Sequence, residues 1–320
     1  MIARIGTDVS TAADLLRSGH AVAIPTETVY GLAANAFDPE AVLQVFSIKA
    51  RPSFDPLIVH LGRKEQLHRV VKHLPEGAER LMDAFWPGPL TLVLPKRLEI
   101  PDIVTSGLDT VAVRMPAHPT TQELLEQLDF PLAAPSANPF GYVSPTTAQH
   151  VADQLGGKIP YILDGGPCHV GVESTIIGLE CGRWTLYRPG GVGVESIEAV
   201  VGALSPMHRR ILPVAPGQIE SHYAPRIPVV VGEVEQLLPL YAAERVGVLA
   251  LCKDHGAWRT EVLSVSGDLA EAARGLFGAL RRLEASGAEV ILAERFPDEG
   301  LGRAINDRLR RASAKGPYRD

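Results

Sequence analysis

The first periodic signal in the chain is a short apolar run, Ala21 to Ile24, stopped by Pro25. A run of that length ended by a proline predicts a buried strand emptying into a loop, which here presents Thr26, Glu27 and Thr28. Asp38-Pro39-Glu40 predicts a helix start, with Asp38 as N-cap and Pro39 in the first turn, and Val42, Val45, Phe46 and Lys49 follow at helical spacing. Lys49 and Arg51 therefore fall at or just past a helix end. Further apolar runs predict strands over 57–61, 90–94, 111–114, 132–134, 161–163, 175–179 and 184–187, with helical spacing over 65–71, 120–128 and 147–155. Strands this numerous, interleaved irregularly with helices, predict one large α/β domain built on a mixed sheet.

Periodicity lapses over 204–228, where Pro206, Pro213, Pro216, Gly217, Pro225 and Pro228 are spread through the chain, and an interdomain linker is expected there. Beyond it a compact alternation returns: strand 229–231, helix 234–240, strands 246–251 and 262–265, helix 269–284, strand 290–293 and helix 301–311. That order predicts a small parallel-sheet domain of the doubly wound kind. The expected organisation is a domain over 1–203, a linker over 204–228 and a second domain over 229–320.

Composition narrows the class of protein. At 320 residues, 46% hydrophobic and 21% charged, the chain has the profile of a soluble protein of two domains. Its formal net charge of -6 argues against a broadly basic surface that coats nucleic acid, so any RNA contact is expected to be local. Cys168, Cys181 and Cys252 are odd in number and lack metal-binding spacing, which suits a reducing cytoplasm rather than a disulfide framework. The opening residues do not read as a secretion signal, and no apolar run approaches the roughly 20 residues needed to span a bilayer. The usual signatures of P-loop, dinucleotide-binding, serine-hydrolase and zincin chemistry are missing.

The candidate chemistry lies in cations placed where elements end. Lys49 and Arg51 bracket one residue before Pro52, so an ammonium and a guanidinium leave a stiffened segment close together; taken alone they also fit a solvated helix end. Arg114 ends the apolar run Val111-Ala112-Val113, and Arg188 repeats that arrangement after 184–187. A cation at the mouth of a buried strand needs a partner, and several of them describe a polyanion site better than separate surface charges do. Ala134-Pro135-Ser136-Ala137-Asn138-Pro139 would let a ligand approach the backbone, although a Pro/Ser/Asn turn is the plainer reading. Gly171-Val172-Glu173-Ser174-Thr175 is similar. His60, at a strand end, reads more plainly as a satisfied structural histidine, and Cys168 as a small buried or turn residue rather than a nucleophile.

Taken together, Pro25 to Leu32, Lys49 to Pro52 with Pro56 to His60, Trp86 to Thr91, Val111 to Pro116, Ala134 to Asn138, Asp164 to Thr175 and Arg188 to Gly190 resemble the YrdC-like threonylcarbamoyl-AMP synthases. The linker pieces Ala215-Pro216-Gly217 and Ser221-His222-Tyr223-Ala224-Pro225 resemble the long form of that family, which adds a C-terminal Rossmann-like domain. The resemblance implies an α/β fold with a twisted mixed sheet, and a reaction in which L-threonine, bicarbonate and ATP give threonylcarbamoyladenylate and pyrophosphate. It implies partner enzymes that move the threonylcarbamoyl group onto the tRNA adenosine beside the anticodon, with at most a weak tRNA contact here. It implies further that Thr28, His60, Arg114, Ala134 and Ser174 hold threonine. Arg51, Asp55, Thr110, Ser136, Asn138, Ser144, Arg188 and, from the linker, Tyr223 would hold ATP, with Lys49 and Arg51 as the catalytic cations. Mg2+ is expected to accompany ATP, with no dedicated metal cage in the chain. The linker is expected to close over the nucleotide as a lid through Tyr223. The chain departs from the family pattern at Phe54-Asp55, which puts a carboxylate where a neutral or basic group is usual. The competing class is an RNA-binding surface, disfavoured by the acidic net charge and an aromatic content of 6%.

Overall fold

The computed structural model describes residues 2–206, 222–241 and 245–314. Most of the expected linker, with Pro213, Pro216, Gly217 and Ser221, lies outside the described residues. In the first domain the elements run β1 (Arg4–Gly6), α1 (Val9–Arg17), β2 (Val22–Ile24), β3 (Gly31–Asn35), α2 (Pro39–Lys49), β4 (Ile58–His60), α3 (Ala78–Phe85), β5 (Leu90–Pro95) and α4 (Asp102–Thr105). They continue with β6 (Thr110–Arg114), α5 (Pro119–Gln127), β7 (Leu132–Ala133), α6 (Ala148–Leu155), β8 (Tyr161–Leu163), β9 (Thr175–Glu180), β10 (Arg183–Arg188), α7 (Val194–Val201) and β11 (Ser205–Pro206). The strands form one mixed sheet in the order β1-β8-β2-β3-β7-β4-β6-β5-β9-β10-β11. The second domain has β12 (Val229–Val231), α8 (Val234–Leu237), β13 (Val246–Ala250), β14 (Arg259–Val262), α9 (Leu269–Ala285), β15 (Val290–Ala293) and α10 (Gly300–Ser313). Its sheet is parallel throughout, ordered β12-β15-β13-β14.

Local chemistry accounts for several boundaries. The Asp38 side chain accepts from Glu40 N and Ala41 N at the head of α2, as the sequence predicts, and Ala50 in the left-handed region (φ 51) ends that helix. Helix α6 is capped by Thr147, whose hydroxyl accepts from His150 N. In the second domain Leu249, Ile291 and Ala293 pack under α9 and α10, while Val246, Val248 and Leu292 face α8. The period-two alternation of parallel strands thus buries both faces.

Some expectations are corrected. Residues 65–71 form a 3-10 helix over Lys64–Arg69 instead of a full α-helix. The last strand expected before the long helix lies at 259–262, not 262–265, because pairing with β13 fixes Arg259 opposite Gly247; Val265 is 85% exposed. The helix expected over 234–240 is a short α-helix that passes into a 3-10 turn over Leu238–Tyr241.

The two domains share an apolar cluster. Val29, Val143 and Val172 of the first pack with Tyr223 and with Phe277, Leu280, Ile305 and Leu309 of α9 and α10. Gly171 (φ 80) lies so near α9 that a β-carbon there would stand 2.3 Å from the Arg274 Cα, so only glycine admits this approach. No helix among the described residues is long and apolar enough to cross a membrane.

Candidate active site

The parallel register of β4 and β6 sets His60 opposite Arg114, so both leave the sheet at the same end and on the same face. The loop before β3 completes this corner. Thr26 Oγ1 donates to Val29 O at 2.6 Å and accepts from the amides of Thr28 and Val29, a turn that aims the Thr28 hydroxyl at Arg114. Arg114 Nη1 donates to Thr28 Oγ1 at 2.9 Å, its Nε donates to Gly88 O at 3.2 Å, and its Nη2 lies 2.6 Å from Glu27 Oε1. Burial, followed by the adjacent Arg114, drives the His60 imidazole down to about 3, so it is neutral at physiological pH.

At the end of α2, the left-handed turn at Ala50 sends Lys49 and Arg51 to neighbouring loops. Lys49 Nζ donates to Ser136 O and Asn138 O, each at 2.5 Å. Burial, with the nearby Arg51, holds that ammonium well below its usual range. Arg51 donates to the carbonyls of Asp55 and Pro56 and lies 2.9 Å from the Asp55 carboxylate. Burial pushes Asp55 up, against the opposing pull of Arg51.

Arg188 depends on an irregularity. Leu186 packs into the main core and Tyr187 on the opposite face, so strict alternation would return Arg188 to the core. A bulge between Leu186 and Arg188 in the pairing of β10 with β9 brings it to the pocket face instead. There Arg188 Nε and Nη2 donate to Ser174 O at 3.2 and 3.0 Å, and Nη2 also to Ser174 Oγ. Ser144 Oγ donates to Glu173 Oε1 at 2.5 Å. Burial raises the Glu173 carboxyl, but Arg308 and Arg188 outweigh it and leave the group below its ordinary value.

These parts line one narrow pocket, with a free cavity volume of about 50 Å3. Thr28, His60, Arg114, Ala134 and Ser174 line it, together with Arg51, Ser136, Arg188 and Tyr223. Lys49, Asp55, Asn138 and Ser144 stand behind that lining, each bonded or ion-paired to a residue beside the pocket or its loops. Thr110 lies at the far end of β6, on the same face as Arg114. Glu173 and His222 also line the pocket, although the residues alone gave neither a role; both lie inside segments that carry the resemblance.

The family model described as telomere recombination, for the Sua5, YciO and YrdC proteins, matches residues 14–190. The model for the threonylcarbamoyl-AMP synthase C-terminal domain matches residues 192–314. A curated threonylcarbamoyl-AMP synthase of Pyrococcus abyssi is 46% identical over 95% of this chain and 94% of its own length. The chain belongs to the threonylcarbamoyl-AMP synthase family. The synthase of Bacillus subtilis is 42% identical over 95% of the chain and 92% of its own length. A crystal structure of Pyrococcus abyssi Sua5 complexed with L-threonine superposes with a TM-score of 0.92 at 44% identity, covering 98% of this chain and 97% of that one. A second solved form of the same protein, with a histidine and a tyrosine replaced by alanine, gives 0.91 over 98% of this chain and 96% of that one, at 42% identity. Membership places the chain among adenylate-forming enzymes and gives the two-sheet architecture its solved counterparts.

Within this synthase fold Lys49 braces the 136–138 loop from behind. Lys49→Met is therefore expected to lower turnover by about tenfold or more and to lower the melting temperature as well, since it leaves the Ser136 and Asn138 carbonyls without their donor, at about 1–3 kcal/mol for each buried group. Thermal melts beside initial rates check this.

Proposed function

We propose that the pocket joins L-threonine, bicarbonate and ATP into L-threonylcarbamoyladenylate with release of pyrophosphate. The observation that carries this reading is the convergence of Arg51, Arg114 and Arg188, from three separate elements, on one pocket that also presents Thr28, His60 and Ser174. Arg114 takes the threonine carboxylate through its forked donors, with Thr28, His60, Ala134 and Ser174 enclosing the rest of the amino acid. Arg51, Ser136, Arg188 and Tyr223 receive the nucleotide. Asp55, Asn138 and Ser144 hold those groups in place, Thr110 supports the same sheet face, and Lys49 adds positive charge across the 136–138 loop.

In the reaction, the threonine amine adds to CO2 derived from bicarbonate and loses a proton, giving a carbamate. A carbamate oxygen then attacks the α-phosphorus, its new P–O bond replacing the bond to pyrophosphate, which departs with its electron pair. The protein's part is to align the reactants and neutralise phosphate charge with groups already in place. Among the described residues no three His, Cys, Asp or Glu side chains gather to hold a metal. A Mg2+ carried by the phosphates themselves would offset their charge.

Catalysis belongs to the unit over 1–203, and Tyr223 closes the nucleotide side, which excludes water from a labile adenylate. The product passes to enzymes that transfer the threonylcarbamoyl group to a tRNA adenosine, with at most a weak tRNA contact here. A cytoplasmic setting suits the free thiols Cys168, Cys181 and Cys252. Support comes from the threonine complex of the Pyrococcus abyssi relative, which shares the fold across nearly the whole chain.

Pyrophosphate release from ATP tests the reading. It is expected with threonine and bicarbonate together and at background when either is withheld; release that ignores either one would overturn it.

A further inference from the structure

The largest fully buried side chain among the described residues is a cation, Arg308 on α10. Its contacts all run toward the pocket or to its own helix. Nε donates to Glu173 Oε2 at 2.8 Å, while Nη1 donates to Pro189 O at 2.9 Å and to the neighbouring Asp307 at 3.0 Å. The guanidinium carbon lies 5.0 Å from the centre of the Tyr223 ring, and Nη2 is buried with no hydrogen-bond partner among the described residues. One planar group thus touches the loop before β9, the loop after β10 and the aromatic ring that closes the nucleotide side.

Tyr223 needs such a hold. Its φ of 64 lies in the left-handed region, which a bulky residue adopts only when its surroundings impose it. The impositions come from the second domain: Phe277 stacks on the ring at 5.7 Å, and Arg308 lies against it. The Tyr223 hydroxyl is buried without a partner among the described residues, and burial, followed by Glu173, raises its pKa, so the phenol keeps its proton for a ligand oxygen.

We propose that Arg308 is a positioning residue that holds Tyr223 and the loops carrying Glu173, Ser174 and Arg188 in register for the nucleotide, so that the second domain sets ATP affinity without touching threonine. The inference rests on the nucleotide assignment made above. It gives the second domain a definite part in the reaction: one cation, 135 residues from its carboxylate partner, completes a site that the first domain frames.

The test separates positioning from charge balance. Removing Arg308 alone would strand the Glu173 carboxylate, so Arg308→Met is made in a Glu173→Gln background, and affinities for a non-hydrolysable ATP analogue and for threonine are measured by calorimetry beside a thermal melt. Relative to Glu173→Gln alone, analogue affinity is expected to weaken at least about tenfold, threonine affinity to stay within about twofold, and melting to change little. Equal analogue affinity in the two variants overturns the proposal, as does parallel loss of both ligands with a fall in melting temperature. Arg308→Lys in the otherwise unaltered chain answers the same question if the double variant does not fold, because an ammonium keeps the charge but not the fork. Weaker analogue binding with unchanged threonine binding supports positioning, and no change in either refutes it. An unaltered chain that binds the analogue yet releases no pyrophosphate with threonine and bicarbonate would sink the proposed reaction and leave this comparison standing. One that binds no analogue would sink both.

Discussion

Arg114→Met combined with Glu27→Gln is expected to abolish threonine-dependent pyrophosphate release, by at least about a hundredfold, while ATP still binds. The double change is needed because the pair is buried: the Arg114 and Glu27 side chains are 4% and 1% exposed. Removing the guanidinium alone would leave an uncompensated carboxylate in the interior, a destabilisation of about 3–5 kcal/mol that would hide any effect on binding. With both charges gone the fold is spared that term. What remains is the loss of a charged, forked donor for a substrate carboxylate, worth about 2–5 kcal/mol when such a pair is truncated. Calorimetric titration with threonine beside the rate assay checks the result; unchanged threonine affinity would reassign Arg114 to structure.

Gly190→Ala is the second large effect, and it acts through the backbone. A β-carbon at Gly190 would lie 2.3 Å from both Glu173 O and the Ser174 carbonyl carbon, and 2.4 Å from Thr175 N. None of these is the end of a flexible side chain, so the loop after β10 must move away from the start of β9. Gly191 N, which donates to Glu173 O at 2.9 Å, moves with it, as does Pro189 O. Overpacking of this kind costs about 1–3 kcal/mol or more, and here it separates Arg188 from Ser174. A lowered melting temperature together with a sharply raised KM for ATP is expected. A variant that melts and turns over as the parent does would mean the two loops are not held together as described.

Much of the site was legible because its residues sit at predicted ends of elements. Lys49, Arg114 and Arg188 each close a helix or strand, and spacing rules locate such ends well. Long periodic segments such as α9 and α10 were read almost to the residue for the same reason. Helix α1 was missed although Val9, Ala12, Ala13 and Leu16 form a buried stripe at helical spacing and Asp8 caps it, a pattern that was legible in the sequence. Strand β14 was displaced because Leu263 and Val265 attracted the reading, whereas tertiary pairing selects Arg259–Val262. The bulge that turns Arg188 to the pocket breaks alternation and leaves no mark in composition. Arg308 was invisible for a different reason: nothing near it in sequence signals a partner 135 residues away.

The bracing of the pocket cations by backbone carbonyls has one further consequence. Arg51, Arg114 and Arg188 are fixed by Asp55 O and Pro56 O, by Gly88 O and by Ser174 O, so they cannot swing apart to relax. After burial, Arg51, Lys49, Arg311 and Arg188 hold the neighbouring His222 imidazole well below its usual range, the mark of a site crowded with positive charge. A polyphosphate bound as proposed would offset that charge and would act as a folding ligand as well as a reactant, by mass action on the native state. The protein's resistance to unfolding would then rise with the nucleotide concentration around it.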